Sequence, residues 1–193
     1  MRLIIGITGA TGAIIGIRLL QALRESNVET HLILSKWAEA TIALETEYTV
    51  SEVKGLASHF YAYYDQAAPI SSGSYRTDGM IIAPCSMKSL ASIRVGLSDN
   101  LITRAADVVL KERKKLVIVP RETPLNSIHL ENMLYLSNSG AVIVPPMPAF
   151  YNKPKSLDDV VNHFVARILD QFGIDNDYTT RWGEKQEKKS NEK

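Results

Sequence analysis

Cysteine is nearly absent from this chain: Cys85 stands alone among 193 residues, so no intramolecular disulfide is available. Long apolar runs are absent too. No stretch approaches the roughly 20 residues that a bilayer-spanning helix needs, and the start lacks the apolar core of a secretory leader. Charge of one sign is also missing, with 22 Lys and Arg against 21 Asp and Glu for a net charge of +1. That balance excludes general adhesion to nucleic acid or to an anionic membrane and leaves specific anions open. These absences together lead us to expect a cytoplasmic protein with reduced thiol chemistry, long enough for one α/β domain with a sizeable core.

What is present begins at Leu3-Ile4-Ile5-Gly6-Ile7, a short β-branched run apolar on both alternating sets, as a strand covered on both faces of a parallel sheet should be. The small residues Thr8-Gly9-Ala10-Thr11-Gly12 follow, and a helical spacing of apolar residues starts at Ala13. Strand, glycine turn and helix N-terminus together can present backbone N–H groups to a phosphate. The spacing Gly6-x-x-Gly9-x-x-Gly12 is not the dinucleotide fingerprint, and the second strand, Glu29–Leu34, ends in Ser35-Lys36 where a ribose-binding carboxylate would stand. A mononucleotide phosphate suits this turn better than NAD.

Further strands are expected at 79–84, 116–120 and 141–144, separated by helices, which predicts a doubly wound, three-layered, Rossmann-like or flavodoxin-like parallel sheet in one domain over 1–183. The Lys/Glu-rich stretch 184–193 is expected to be a disordered tail. The aromatic cluster Phe60–Tyr64 is expected to pack at a sheet edge or a subunit contact. Ser86, with Met87, Lys88 and Ser89, opens a helix at a second strand end, and Cys85 reads as a buried, inert thiol. Arg121-Glu122 follows the fourth of these strands, bringing an anion-binding and a proton-moving group to the same edge. Arg104 and Lys111 lie seven positions apart on one helix, and Glu45 stands near the C-terminal end of another, expected over Trp37–Tyr48, where an acid opposes the helix dipole. Tyr151-x-x-x-Lys155 suggests a nicotinamide-dependent reductase, but Pro154 forbids the helical turn that such a pair requires.

The chain resembles the UbiX-type flavin prenyltransferases, also known as the phenolic-acid decarboxylase B subunit family. The resemblance spans nearly the whole length and rests on Thr8–Ala13, Ser35-Lys36, the Glu45 helix, Ser72-Gly73-Ser74, Pro84-Cys85-Ser86, Arg104–Asp107, Leu110–Arg113, Pro120–Pro124, His129–Met133, Pro148–Tyr151 and Arg181-Trp182. It implies transfer of a dimethylallyl group from dimethylallyl phosphate to N5 and C6 of reduced FMN without a metal, yielding prenylated FMN for a UbiD-type decarboxylase. It further implies that Gly9, Ala10, Thr11, Ser35, Ser86, Met87, Lys88, Ser89 and Arg121 line the FMN site. Arg104, Lys111, Glu122, Tyr151 and Arg167 would hold the dimethylallyl phosphate, and Glu45, Glu122, Thr11 and Lys111 are the candidates for the chemistry. Thr11 keeps the hydroxyl of a position that is serine in many members. The family is a homododecamer with active sites at subunit contacts. A non-catalytic FMN-delivery subunit is the alternative of a different class.

Overall fold

A computed structural model describes residues 1–183; the charged stretch 184–193 lies outside the described residues. The first of two compact units, residues 1–146, is built on a parallel sheet of β1 (Arg2–Ile7), β2 (Glu29–Leu34), β3 (His59–Tyr61), β4 (Gly79–Cys85), β5 (Lys115–Pro120) and β6 (Val142–Ile143). The strands lie in the order β3-β2-β1-β4-β5-β6. The five strands legible in the sequence, taken alone, have the flavodoxin order, and adding β3 at the edge turns it into the Rossmann order. β3 is only three residues long, too short for a period-two signal, which is why it reads as an aromatic cluster.

The helices of this unit form the two outer layers. α1 (Ala13–Glu25), α2 (Lys36–Glu45) and α3 (Val50–Leu56) contact one another on one face. On the other, α4 (Met87–Arg94), α5 (Leu101–Lys111) and α6 (Ser127–Asn138) enclose a core with Ile4, Ile33, Met80, Ile82, Leu116 and Ile118 from the sheet. The strand residues between these positions face α1, and Leu3, Ile5, Ile7, Ile81 and Val117 are as fully buried. Burial on both faces is what the doubly apolar runs demand, each Leu or Ile contributing about 1.5–3 kcal/mol.

Helix boundaries follow the caps. Ser86 caps α4 by accepting the Ser89 N–H, and Gly140 closes α6 with φ near 98°. α2 stops at Glu45, short of the expected Tyr48, because Thr46 adopts an extended conformation and Thr49 opens α3 with a capping box to Glu52.

The second unit, from Met147 onward, carries α7 (Leu157–Asp170), opened by a capping box between Ser156 and Asp159. Its buried row is Val161, Val165, Ile168 and Leu169, a helical spacing. No helix among the described residues is long and apolar enough to cross a membrane.

A Cβ placed on Gly16 would collide with the Ala83 carbonyl and with Ile7, so α1 crosses the sheet at a distance only glycine permits. Gly16→Ala is expected to cost about 1–3 kcal/mol of stability, read as a lowered denaturant midpoint with an unchanged slope.

Candidate functional site

The carboxyl ends of β2, β1, β4 and β5 are laced together by hydrogen bonds that continue past the strands. Ser35 N–H donates to Ile7 O at 3.0 Å, Thr8 N–H to Pro84 O at 3.2 Å, and Arg121 N–H to Cys85 O at 3.1 Å. Each donor belongs to the first residue after its strand. The four following turns therefore start level with one another, and between β1 and β4 the chain departs to opposite sides, the place where an open α/β sheet forms its ligand crevice.

Thr8 fixes the central pair of turns. Its buried hydroxyl donates to Pro84 O at 2.9 Å and accepts the Ser86 N–H at 2.8 Å. Nothing in the sequence singled out Thr8, because its role depends on a partner 78 residues away. Gly9 has a packing role that spacing does not reveal: a Cβ there would collide with Trp37 in the first turn of α2. Ser35 caps α2 by accepting the Ala38 N–H at 3.0 Å.

The structure thus gathers Gly9, Ala10, Thr11, Ser35, Ser86–Ser89 and the Arg121-Glu122 pair on one edge. Ser86 takes the Ser89 N–H, while Met87 and Lys88 precede the first intrahelical bonds of α4, so their N–H groups remain as donors at the helix end. Hydroxyls, N-terminal amides and the Lys88 ammonium form a donor set that suits a flavin phosphate. Glu122 Oε1 accepts the Thr123 N–H at 2.9 Å. Cys85 is fully buried just beneath, and burial pushes its thiol up to about 12, as an inert packing group requires.

Glu45 is explained by a helix other than its own. Its Oε2 accepts the Gly12 N–H at 2.8 Å and the Ala13 N–H at 3.2 Å, so the carboxylate that opposes the dipole of α2 caps the N-terminus of α1. Gly12, in the left-handed region at φ 95°, has no side chain to make that cap.

Lys111 lies apart from this edge. α5 leads from the β4 side back to the start of β5, so Lys111 ends near where strands begin and shares a depression with Arg113, Lys114, Ser139 and Gly140. Arg104 sits about 10 Å back along the same helix and donates to Ser71 O and Asp107. Lys111 pairs with Glu112, and a Cβ on Gly73 would strike both groups, so the Ser72-Gly73-Ser74 loop lies directly upon them.

Tyr151 and Arg167 belong to the second unit. The Tyr151 ring stands edge-on to His163 at 5.8 Å and to Trp182 at 5.4 Å, and His163 is one helical turn from Arg167. Arg167 donates to Asp170 at 2.7 Å, and Arg181 grips the same carboxylate with both terminal nitrogens. The three candidate phosphate-binding cations Arg104, Lys111 and Arg167 each have a carboxylate partner within three residues of sequence, which positions the cation while tempering its charge.

A family model described as Flavoprotein matches residues 1–169. A probable UbiX-like flavin prenyltransferase of Bacillus subtilis is 64% identical over 182 residues, covering 94% of this chain and 89% of the relative. Among solved structures, a dodecameric FMN-dependent UbiX-like decarboxylase from Escherichia coli O157:H7 is 63% identical with a TM-score of 0.94, over 95% of this chain and 100% of the other. AnUbiX (PadA1), in complex with FMN and dimethylallyl pyrophosphate, is 55% identical with a TM-score of 0.94, over 96% and 98% of the two chains.

Two measurements test this geometry. Thr8→Val keeps the shape and the backbone bond to Pro84 O but leaves the Ser86 N–H unpaired and takes from the Pro84 carbonyl its second donor; it should lower stability by about 1–3 kcal/mol in denaturant titrations, with Thr8→Ser restoring most of the loss. The Arg181 hydrogen bonds, with Arg167, hold the Asp170 carboxyl below its ordinary value. Its contribution to stability is therefore present above the unfolded value and disappears as pH falls through the folded one. Asp170→Asn should lower the unfolding temperature at pH 7, and the gap to the wild type should close on acidification.

Proposed function

The chain belongs to the UbiX-like flavin prenyltransferases of the Flavoprotein family, and from that premise we propose that it joins a dimethylallyl group to N5 and C6 of reduced FMN for use by a UbiD-type decarboxylase. The observation that carries this reading is the convergence of Gly9–Thr11, Ser35, Ser86–Ser89 and Arg121-Glu122 on one sheet edge, at a crevice suited to a mononucleotide and lacking the carboxylate of a NAD site. The relative bound to FMN and dimethylallyl pyrophosphate pairs the same two reactant classes. The match from residue 1 to 169 supports reading 1–183 as one flavoprotein domain. A cytoplasmic location, consistent with the one buried thiol, belongs to the same proposal.

In this reading the Gly9–Thr11 turn and the N-terminus of α4 bind and orient the flavin, with Ser35 and Arg121 flanking it. Reduced FMN, as acceptor, supplies the electron-rich ring atoms that take the prenyl group. Arg104, Lys111, Arg167 and the Tyr151 hydroxyl hold the donor phosphate, and their charge is of greatest value as the allylic C–O bond breaks and negative charge gathers on the leaving oxygen. Glu122 and Glu45 are the groups that move protons as the new ring closes, with the Thr11 hydroxyl as a further candidate.

Lys111 lies at the opposite end of α5 from the crevice, so a phosphate held by Lys111 together with Glu122 calls for a second copy of the chain. The dodecamer of the E. coli neighbour supports such a shared site. No metal ion takes part in this scheme.

The test is anaerobic incubation of the purified protein with reduced FMN and dimethylallyl monophosphate, followed by mass spectrometry of the released flavin. A flavin heavier by one C5H8 unit is expected. Glu122→Gln should bind FMN normally while slowing product formation by about 10²–10⁴-fold, the usual scale for a lost acid or base. If unmodified FMN delivered by this protein suffices to activate the decarboxylase, the chain is a carrier instead.

A further inference from the structure

Three metal-ligating side chains that the proposed reaction does not use meet at the other end of the sheet. Glu29 opens β2, His31 follows two residues later on the same face, and His59 opens β3 in direct register with His31. A strand pair of this kind presents ligands i, i+2 and the cross-strand neighbour to one point. Their ligand atoms all lie within 4.8 Å of one another. Glu29 Oε1 is 3.1 Å from His31 Nε2 and 3.5 Å from His59 Nε2. Ligands about 2.0–2.1 Å from a tetrahedral zinc ion are themselves about 3.4 Å apart, and the two measured separations bracket that value.

We propose that Glu29, His31 and His59 bind one divalent transition-metal ion of the zinc class, in a site separate from the prenyl-transfer crevice, and that this ion fastens the edge strand β3 to β2. Two imidazoles and a carboxylate suit zinc rather than magnesium or calcium, which prefer all-oxygen sets. The fourth position is open to water on the solvent side, where His59 is half exposed and gives the ion a path of entry. His31 is fully enclosed, so its ring is held in place on the sheet.

An orienting partner is also in place. Tyr61 Oη lies 3.0 Å from His31 Nδ1, the nitrogen that the metal would not use. In the metal-free protein His31 Nε2–H donates to Glu29 and Nδ1 accepts from the Tyr61 hydroxyl. On metal binding Nε2 loses its proton, Nδ1 gains one and donates to the Tyr61 oxygen, and the ring remains neutral overall. Such a hydrogen bond from the far nitrogen is what fixes the ring of a ligating histidine. Arg2 opposes the ion, since its Nε donates to Glu29 Oε1 at 2.9 Å. Its guanidinium has anchors that do not depend on that oxygen, the Arg76 carbonyl at 2.9 Å and the Tyr75 ring face at 4.8 Å.

The test is zinc titration of the purified full-length chain against a chromophoric chelator, with cobalt(II) as a spectroscopic stand-in. One zinc per subunit and the intense visible bands of four-coordinate cobalt are expected. His59→Gln and Glu29→Gln should each weaken zinc by at least about tenfold. Arg2→Gln should tighten it by removing the competing cation, and His129→Gln, on an exposed helix away from the cluster, should change nothing. Because His59 is half exposed, its variant should keep the metal-free unfolding temperature of the wild type. Zinc well below one per subunit, or equal affinity in the wild type and in both ligand variants, would overturn the site.

Discussion

One buried hydroxyl holds the crevice together. Thr8 bonds at once to the carbonyl before and the amide after the β4 strand end, and with the Ser35 and Arg121 amides it keeps four turns level across the sheet. A parallel sheet by itself specifies only that strand ends lie side by side. The depth at which each turn begins, and hence whether amides from different helices can address one ligand, is set by these few bonds beyond the ladder. In a buried setting each is costly to leave unmade, which makes the arrangement rigid.

The three cations proposed for the donor phosphate follow a consistent pattern of local neutralisation. Lys111 is paired with Glu112, Arg104 with Asp107, and Arg167 with Asp170. A cation kept in place by a neighbouring acid arrives at a phosphate already oriented, and the acid limits how tightly a free phosphate is retained. For a reaction that must release inorganic phosphate after each turnover, such tempering favours product departure over ground-state grip.

Much of this was legible in the chain. The doubly apolar runs at Leu3–Ile7, Met80–Ala83 and Leu116–Val119 could only be central parallel strands, and the turns at their ends had to share an edge. Ser86 announced its helix boundary correctly because capping is a local matter. Cys85 read as an inert buried thiol for the same local reason. What could not be read depended on partners distant in sequence. Thr8 meets Ser86, Glu45 meets Gly12 and Ala13, and His59 meets His31, each across at least 28 residues. Arg104 and Lys111 share a helix face as their spacing suggests, yet the direction of α5 carries Lys111 away from the edge where Arg121 stands. Spacing gives a face; only topology gives the end of the sheet to which it leads.

Glu45 shows how one side chain can make two helices a single mechanical unit. The last residue of α2 accepts the Gly12 and Ala13 amides through its Oε2. The cap of α1 is therefore supplied from another helix, and it exists only while the last turn of α2 is wound. Unwinding of that turn withdraws the acceptor from the glycine turn at the same moment, so the two give way together.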